Sequence, residues 1–187
     1  MSDTRAAILQ VAEDLIRTRG YFGFSYSDIE AAVGIRKASI HHHFPTKAIL
    51  VAAAIDAYSR QYEAALVRIE AEQHHAIARI EAYADLYRQG LYRGLGCLCV
   101  ALAADMGTLP PDLLSRVRLF FQAHVDWLTR VIAQGARKGE VIQGLDSGSV
   151  ARLLVSTLEG AMLLGLVSGK PADFDDATGT VLRLLKA

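Results

Sequence analysis

Between Arg36 and Lys47 the chain carries three cations (Arg36, Lys37 and Lys47), three consecutive histidines (His41, His42 and His43), Ser39, and no acid. Guanidinium, ammonium and imidazole groups bunched in this way favour phosphate oxygens, and with a serine hydroxyl they can also reach base edges. The same histidines are a poor metal site, because consecutive helical positions project about 100° apart and cannot close around one ion. A second set is Cys97 and Cys99. Two apart on a helix, they point away from each other and form no structural disulfide. A CxC pair without a nearby Cys or His cluster is also a poor metal site. Cys97 follows Gly94-Leu95-Gly96 near the start of a helix, where the end dipole lowers a thiol's pKa; a reactive sulfur stands open there beside the commoner reading of a small buried hydrophobe. No facing carboxylates form a Glu-x-x-His site, and no Ser/His/Asp set is present. The expectation is therefore no catalytic residue, no cofactor and no metal.

The basic groups need a support that holds them outward. Ser25, followed three residues later by Asp28, supplies an N-cap hydroxyl and an acid at the positive end of a helix. Ile29, Ala32 and Val33 share one face of it, and Gly34 accepts the left-handed conformation that stops it. A second short helix runs from Arg36 to His43. Ile40 and Phe44, four apart, face the core, and Pro45 disfavours helical geometry at Phe44. Lys37, Ser39 and His41 to His43 are left largely outside. Two short helices with a tight turn between them are the arrangement that lays one helix in the major groove of DNA. Thr4 to Arg19 repeats Ile8, Val11, Ala12, Leu15 and Ile16 as a helical stripe, completing a three-helix unit capped by Gly20. Thr46 then caps a further helix with Lys47 in its first turn, a natural phosphate clamp.

The span from Ala6 to Tyr58 resembles the N-terminal DNA-binding domain of TetR-type transcriptional regulators. The resemblance rests on Gly20, Gly23-Phe24, Asp28-Ile29, Val33-Gly34, His41-His42-His43-Phe44 and Lys47 taken as one pattern. Where that family usually has two tyrosines this chain has His41 and His43, so contacts transfer in position but not in chemistry. The implied fold is all-α with about nine helices: a helix-turn-helix domain over residues 1–47 and a larger ligand-binding and dimerisation domain over 48–187. The DNA-binding residues implied are Ser25, Tyr26, Arg36, Lys37, Ser39, His41, His42, His43 and Lys47. Lys37 and His41 are directed at base edges, and Ser25, Tyr26 and Lys47 mostly at phosphate. The resemblance also implies that the helix opened by Lys47 transmits ligand binding to the DNA-reading heads. Gly96-Cys97-Leu98, followed by a small-residue helix, is similar to a branch of the family that includes sensors of electrophiles and unsaturated small acids or aldehydes.

Composition agrees with such a chain. At 187 residues and 52% apolar, with prolines only where helices should begin or stop, it reads as all-helical, and its formal charge is zero. Residues 1–50 hold six Lys or Arg against five acids, so the nucleic-acid signal lies in placement and not in amount. Two cysteines and no signal-type N-terminus point to the cytoplasm. Tyr62 and Tyr87, Cys97, Phe121, and His124 within an otherwise apolar stripe are the candidate ligand contacts. Ser147 to Val167 is apolar almost all round, but Arg152 and Glu159 argue against a membrane span. With the last helix, roughly Asp173 to Lys186, it makes a face suited to pairing with its own copy as a four-helix bundle. The expected partners are thus a palindromic double-stranded DNA operator, a small-molecule inducer and a second copy of the chain. A ligand-free dimeric adaptor and a helical small-molecule enzyme are the alternatives.

Overall fold

The computed structural model describes residues 2–186, and the side chains of residues 4–186. Among them the only β feature is an isolated bridge between Val141 and Lys186. The helices are α1 (Ser2–Arg19), α2 (Tyr26–Val33), α3 (Lys37–His43), α4 (Lys47–Glu72), α5 (Ala76–Tyr92), α6 (Leu98–Ala103), α7 (Pro111–Lys138), α8 (Ser147–Ser168) and α9 (Ala172–Leu185). The chain divides into two compact units. One comprises Met1–Tyr62 with Cys97–Phe120, the other Glu63–Gly96 with Phe121–Ala187.

In the first unit, α1 packs on α2 and α6, and α2 packs on α3. The α1 stripe is carried by Ile8, Ala12 and Ile16, spaced four apart and fully buried. At the end of α1, Gly20 (φ +70°) donates its N–H to Ile16 O at 2.9 Å, and the Tyr21 N–H goes to the Asp105 carboxylate at 3.0 Å. The N-cap of α2 is a full capping box. Its Asp28 carboxyl is held below the usual carboxylate range, first by the Ser25 hydroxyl, then by the Ser25 N–H and Arg19. Gly34 ends α2 at φ +75°, as a left-handed stop requires. The buried residues of α2 are Tyr26 and Ile29. Ala32, expected on that face, is exposed. Inward contact is concentrated instead in the first half of α2, at Tyr26 and Ile29, three apart.

In the second unit α8 packs on α9, and both pack on α5. Asp146 caps α8 by accepting the Ser149 N–H at 2.7 Å. By length and mean hydropathy, 1.7, α8 could cross a membrane. Its inward side, including Leu154, Leu158, Ala161 and Met162, is instead used in the protein core. Its other side leaves Leu153, Leu163, Leu164 and Val167 uncovered, Val167 at 80% exposure. Gly135 of α7 meets Ala76 and Val141 so closely that a Cβ there would lie 2.4 Å from the Ala76 Cβ.

Candidate nucleic-acid interface

The α2–α3 pair is tied together more firmly than hydrophobic spacing alone requires. Ile40 and Phe44 are buried beneath α3, at 0% and 1% exposure. Above them, the Tyr26 hydroxyl at the start of α2 donates to the Phe44 carbonyl at the end of α3, 2.6 Å away. At the other end of α3, the Lys37 N–H donates to the Glu30 carboxylate at 3.1 Å, which replaces the side-chain cap that Arg36 does not provide. Sequence reading missed Glu30. Its signal was an acid seven residues ahead of a helix start that lacked a capping side chain.

With Ile40 turned inward, the outward centre of α3 falls on Ala38 and His42, flanked by His41 and Ser39 at 100° steps. Arg36, Lys37, His41 and His42 are exposed, whereas Ser39 and His43 are half-buried. His41 lies 4.6 Å from the Tyr26 ring, and its Nδ1 donates to the Pro45 carbonyl at 3.3 Å. The His42 and His43 rings meet edge to face at 5.5 Å. Phe24, Ser25, Tyr26, Ser27, Lys37, His41 and Lys47 surround a hollow of about 380 Å³, so the start of α2 and two lysines share one concave surface. A helix N-terminus bordered by cations is suited to an anion.

Two residues expected to reach phosphate are otherwise engaged here. The Tyr26 ring is 9% exposed and its hydroxyl proton is committed to Phe44, so burial raises its pKa above the ordinary phenol value. The Lys47 ammonium is turned back on its own unit, where it donates to the Phe24 carbonyl. There it sits 4.2 Å from the Phe24 ring centre and 5.0 Å from that of Tyr21. Desolvation lowers its pKa, and Asp28 and Asp105 act in the opposite sense. Thr46 does cap α4, accepting the Ile49 N–H at 3.2 Å.

The five candidate ligand contacts are divided. Tyr62 and Cys97 belong to the first unit, and Tyr87, Phe121 and His124 to the second. Tyr62 accepts a hydrogen bond from Tyr58 at 3.2 Å. Tyr58 is buried, and desolvation raises its pKa well above the phenol value. Cys97 is the buried N-cap of α6, a helix of six residues, and Cys99 is fully buried. In the second unit Tyr87 and Tyr83 join hydroxyl to hydroxyl at 2.9 Å, and Tyr83 meets Nδ1 of His124 at 2.7 Å. The ring of Trp127 stacks on Tyr83 at 5.6 Å. Burial pushes the His124 pKa down to about 4, so the imidazole is neutral near pH 7, and its tautomer decides whether Tyr83 or Nδ1 is the donor. Tyr83 is the centre of this chain and was not among the expected contacts, although its spacing of four from Tyr87 places both on one face of α5.

Comparison with known proteins matches the two ends of the chain separately. A family model described as bacterial regulatory proteins, tetR family, matches residues 8–54, and one described as tetracyclin repressor-like, C-terminal domain, matches residues 76–181. A TetR-family transcriptional regulator from Agrobacterium tumefaciens is 33% identical and superposes with a TM-score of 0.96, covering 100% of this chain and 99% of that one. The nucleoid occlusion factor SlmA of Marinomonas sp. (strain MWYL1) is 24% identical over 160 residues, 85% of this chain and 81% of that protein. The HTH-type transcriptional repressor DhaR of Mycobacterium sp. (strain GP1) is 21% identical over 160 residues, 85% of this chain and 80% of that protein.

Proposed function

The chain belongs to the TetR family of bacterial regulatory proteins, ligand-responsive DNA-binding transcriptional regulators, and from that premise we propose that it is a repressor released from a palindromic operator by a small molecule. The observation that carries this reading is α3 itself, a short helix with its apolar side buried and Arg36, Lys37, His41 and His42 exposed beside the hollow at the start of α2. Lys37 and His41 are assigned to base edges, joined by His42 at the centre of the outward face. Arg36, Ser39, His43 and the Ser25 end of α2 are assigned to the backbone. Tyr26 acts by fixing the end of α3, and Lys47 reaches phosphate only if it leaves Phe24. The functional boundary is set after residue 47, with 48–187 serving ligand and dimer. The site of action is the cytoplasm, and no catalysis is assigned.

A second copy of the chain is assigned to the uncovered side of α8, where Leu153, Leu163, Leu164 and Val167 lie with exposed Ser156 and Gly160 between them. If so, sedimentation returns a dimer, and Leu164→Glu shifts it toward monomer. An unchanged dimer would move the interface elsewhere. The inducer is assigned to Tyr87, Phe121 and His124 of the second unit, with Tyr83 added. Support comes from buried hydroxyl and imidazole groups among apolar side chains, the mix that orients a small molecule. Release demands that the inducer bind better to a conformation that does not hold DNA; tight binding alone shifts nothing.

The test is to recover bound fragments from the source genome and measure affinity for the enriched sequence. Lys37→Ala and His41→Ala should each weaken specific binding by about 1–3 kcal/mol, while Lys47→Ala should lower the salt slope only if Lys47 turns outward in the complex. Absence of any enriched sequence would defeat the repressor reading.

A further inference from the structure

Two of the three histidines of α3, His41 and His43, stand where the resembled family usually has tyrosine, and imidazole, unlike a phenol, changes charge between about pH 5 and pH 8. The groups around the hollow that holds His41 are cationic or neutral, and His42 and His43 have each other's rings at 5.5 Å. His41 has the Tyr26 ring and the Pro45 carbonyl against it, and it shares its hollow with Lys37 of α3 and Lys47 of α4. From α1, Arg5 lies over the ring of Phe44, the residue next to His43. Of the acids of α2, Glu30 accepts the Lys37 N–H, and Asp28 is bonded to Ser25 and Arg19 while its charge also favours the Lys47 ammonium at the same hollow. Among the described residues no carboxylate forms an ion pair with His41, His42 or His43, whereas His75 pairs with Glu140.

In the free protein, among the described residues, no carboxylate is paired with these rings, and Lys37 and Lys47 border the hollow that holds His41. A duplex reverses that field, because its phosphates favour the imidazolium and accept its N–H groups. Resting on the reading of α3 as the DNA-facing helix, we propose that this regulator takes up protons when it binds its operator, with His41, His42 and His43 as the acceptors. The sign follows from linkage. A group that holds its proton more tightly in the complex strengthens binding at low pH, and that gain is lost as pH rises through the bound-state titration. Operator occupancy then reports cytoplasmic acidity as well as inducer.

The experiment uses the full-length protein and a labelled duplex bearing the sequence enriched by selection, at constant ionic strength. Fluorescence anisotropy should give binding about tenfold tighter at about pH 6 than at about pH 8 for each histidine that is charged in the complex. Calorimetry in phosphate and in Tris, buffers of different ionisation enthalpy, should show net proton uptake. The H41Q/H42Q/H43Q variant should bind more weakly and with a flat pH profile. Wild-type affinity independent of pH, or calorimetry without uptake, overturns the proposal while leaving the DNA-binding reading intact. A triple variant that keeps the pH dependence overturns it too, by assigning the proton to another group. Absence of DNA binding at every pH removes the reading beneath it. Circular dichroism at each pH checks folding, and if the triple variant does not fold, the single variants H41Q, H42Q and H43Q are scored by how much proton uptake each removes; no change in any of them overturns the assignment.

Discussion

Ile40→Ala is expected to destabilise the helix-turn-helix by about 2–5 kcal/mol and to abolish operator binding at ordinary protein concentrations. Ile40 is fully buried, and it is the only buried residue within α3. A seven-residue helix has too few internal hydrogen bonds to stand by itself, so its position depends on that anchor together with Phe44, the Tyr26 hydroxyl bond and the Glu30 cap. Removing three carbons leaves a cavity where α2 and α3 meet. Thermal melts followed by circular dichroism, paired with anisotropy on the enriched duplex, check both halves of the expectation. A variant that melts as the wild type does would show that the other ties suffice.

Acidification should weaken the protein through His124 in the second unit. Its imidazole is neutral in the fold with a pKa of about 4, against about 6.5 for the unfolded chain, so the unfolded state binds the extra proton. Stability is undiminished above about pH 6.5 and is lost progressively as pH falls toward about 4, by roughly 3 kcal/mol in total and roughly 2 kcal/mol between pH 7 and pH 5. Below about 4 this source of loss is exhausted. Urea titrations at those two pH values measure it, with His124→Gln as the comparison. The variant should be weaker at neutral pH, because it disturbs the bond to Tyr83, yet lose less on acidification. An equal acid loss in both proteins would place the proton elsewhere.

Much of this architecture is legible in the chain because local signals agree. Ser25 with Asp28, Gly20 and Gly34 mark helix ends that the structure keeps, and Ile40 with Phe44 identifies the inner side of α3. Distance in sequence hides the rest. Asp105 receives the Tyr21 N–H across 84 positions, and Tyr83 reaches His124 across 41, so no periodicity predicts either bond. Lys47 shows the same limit from the other side. Its place in the first turn of α4 was plain, but the turn of its ammonium toward Phe24 depends on aromatic rings supplied by the loop after α1.

The uncovered row on α8 carries contour and almost no sign. Arg152 and Glu159 are the helix's only formal charges, and Arg152 already lies near Asp146. If a second copy docks on that row as proposed, sister regulators of this build would be told apart along α8 by fit, through the knobs of Leu153 and Leu164 and the notch at Gly160, with charge left to Asp173, Asp176 and Arg183 of α9. Small exchanges of one leucine for a bulkier or smaller neighbour would then be enough to insulate two such proteins from each other, and fidelity of pairing could drift in evolution without touching either the DNA-reading helix or the inducer site.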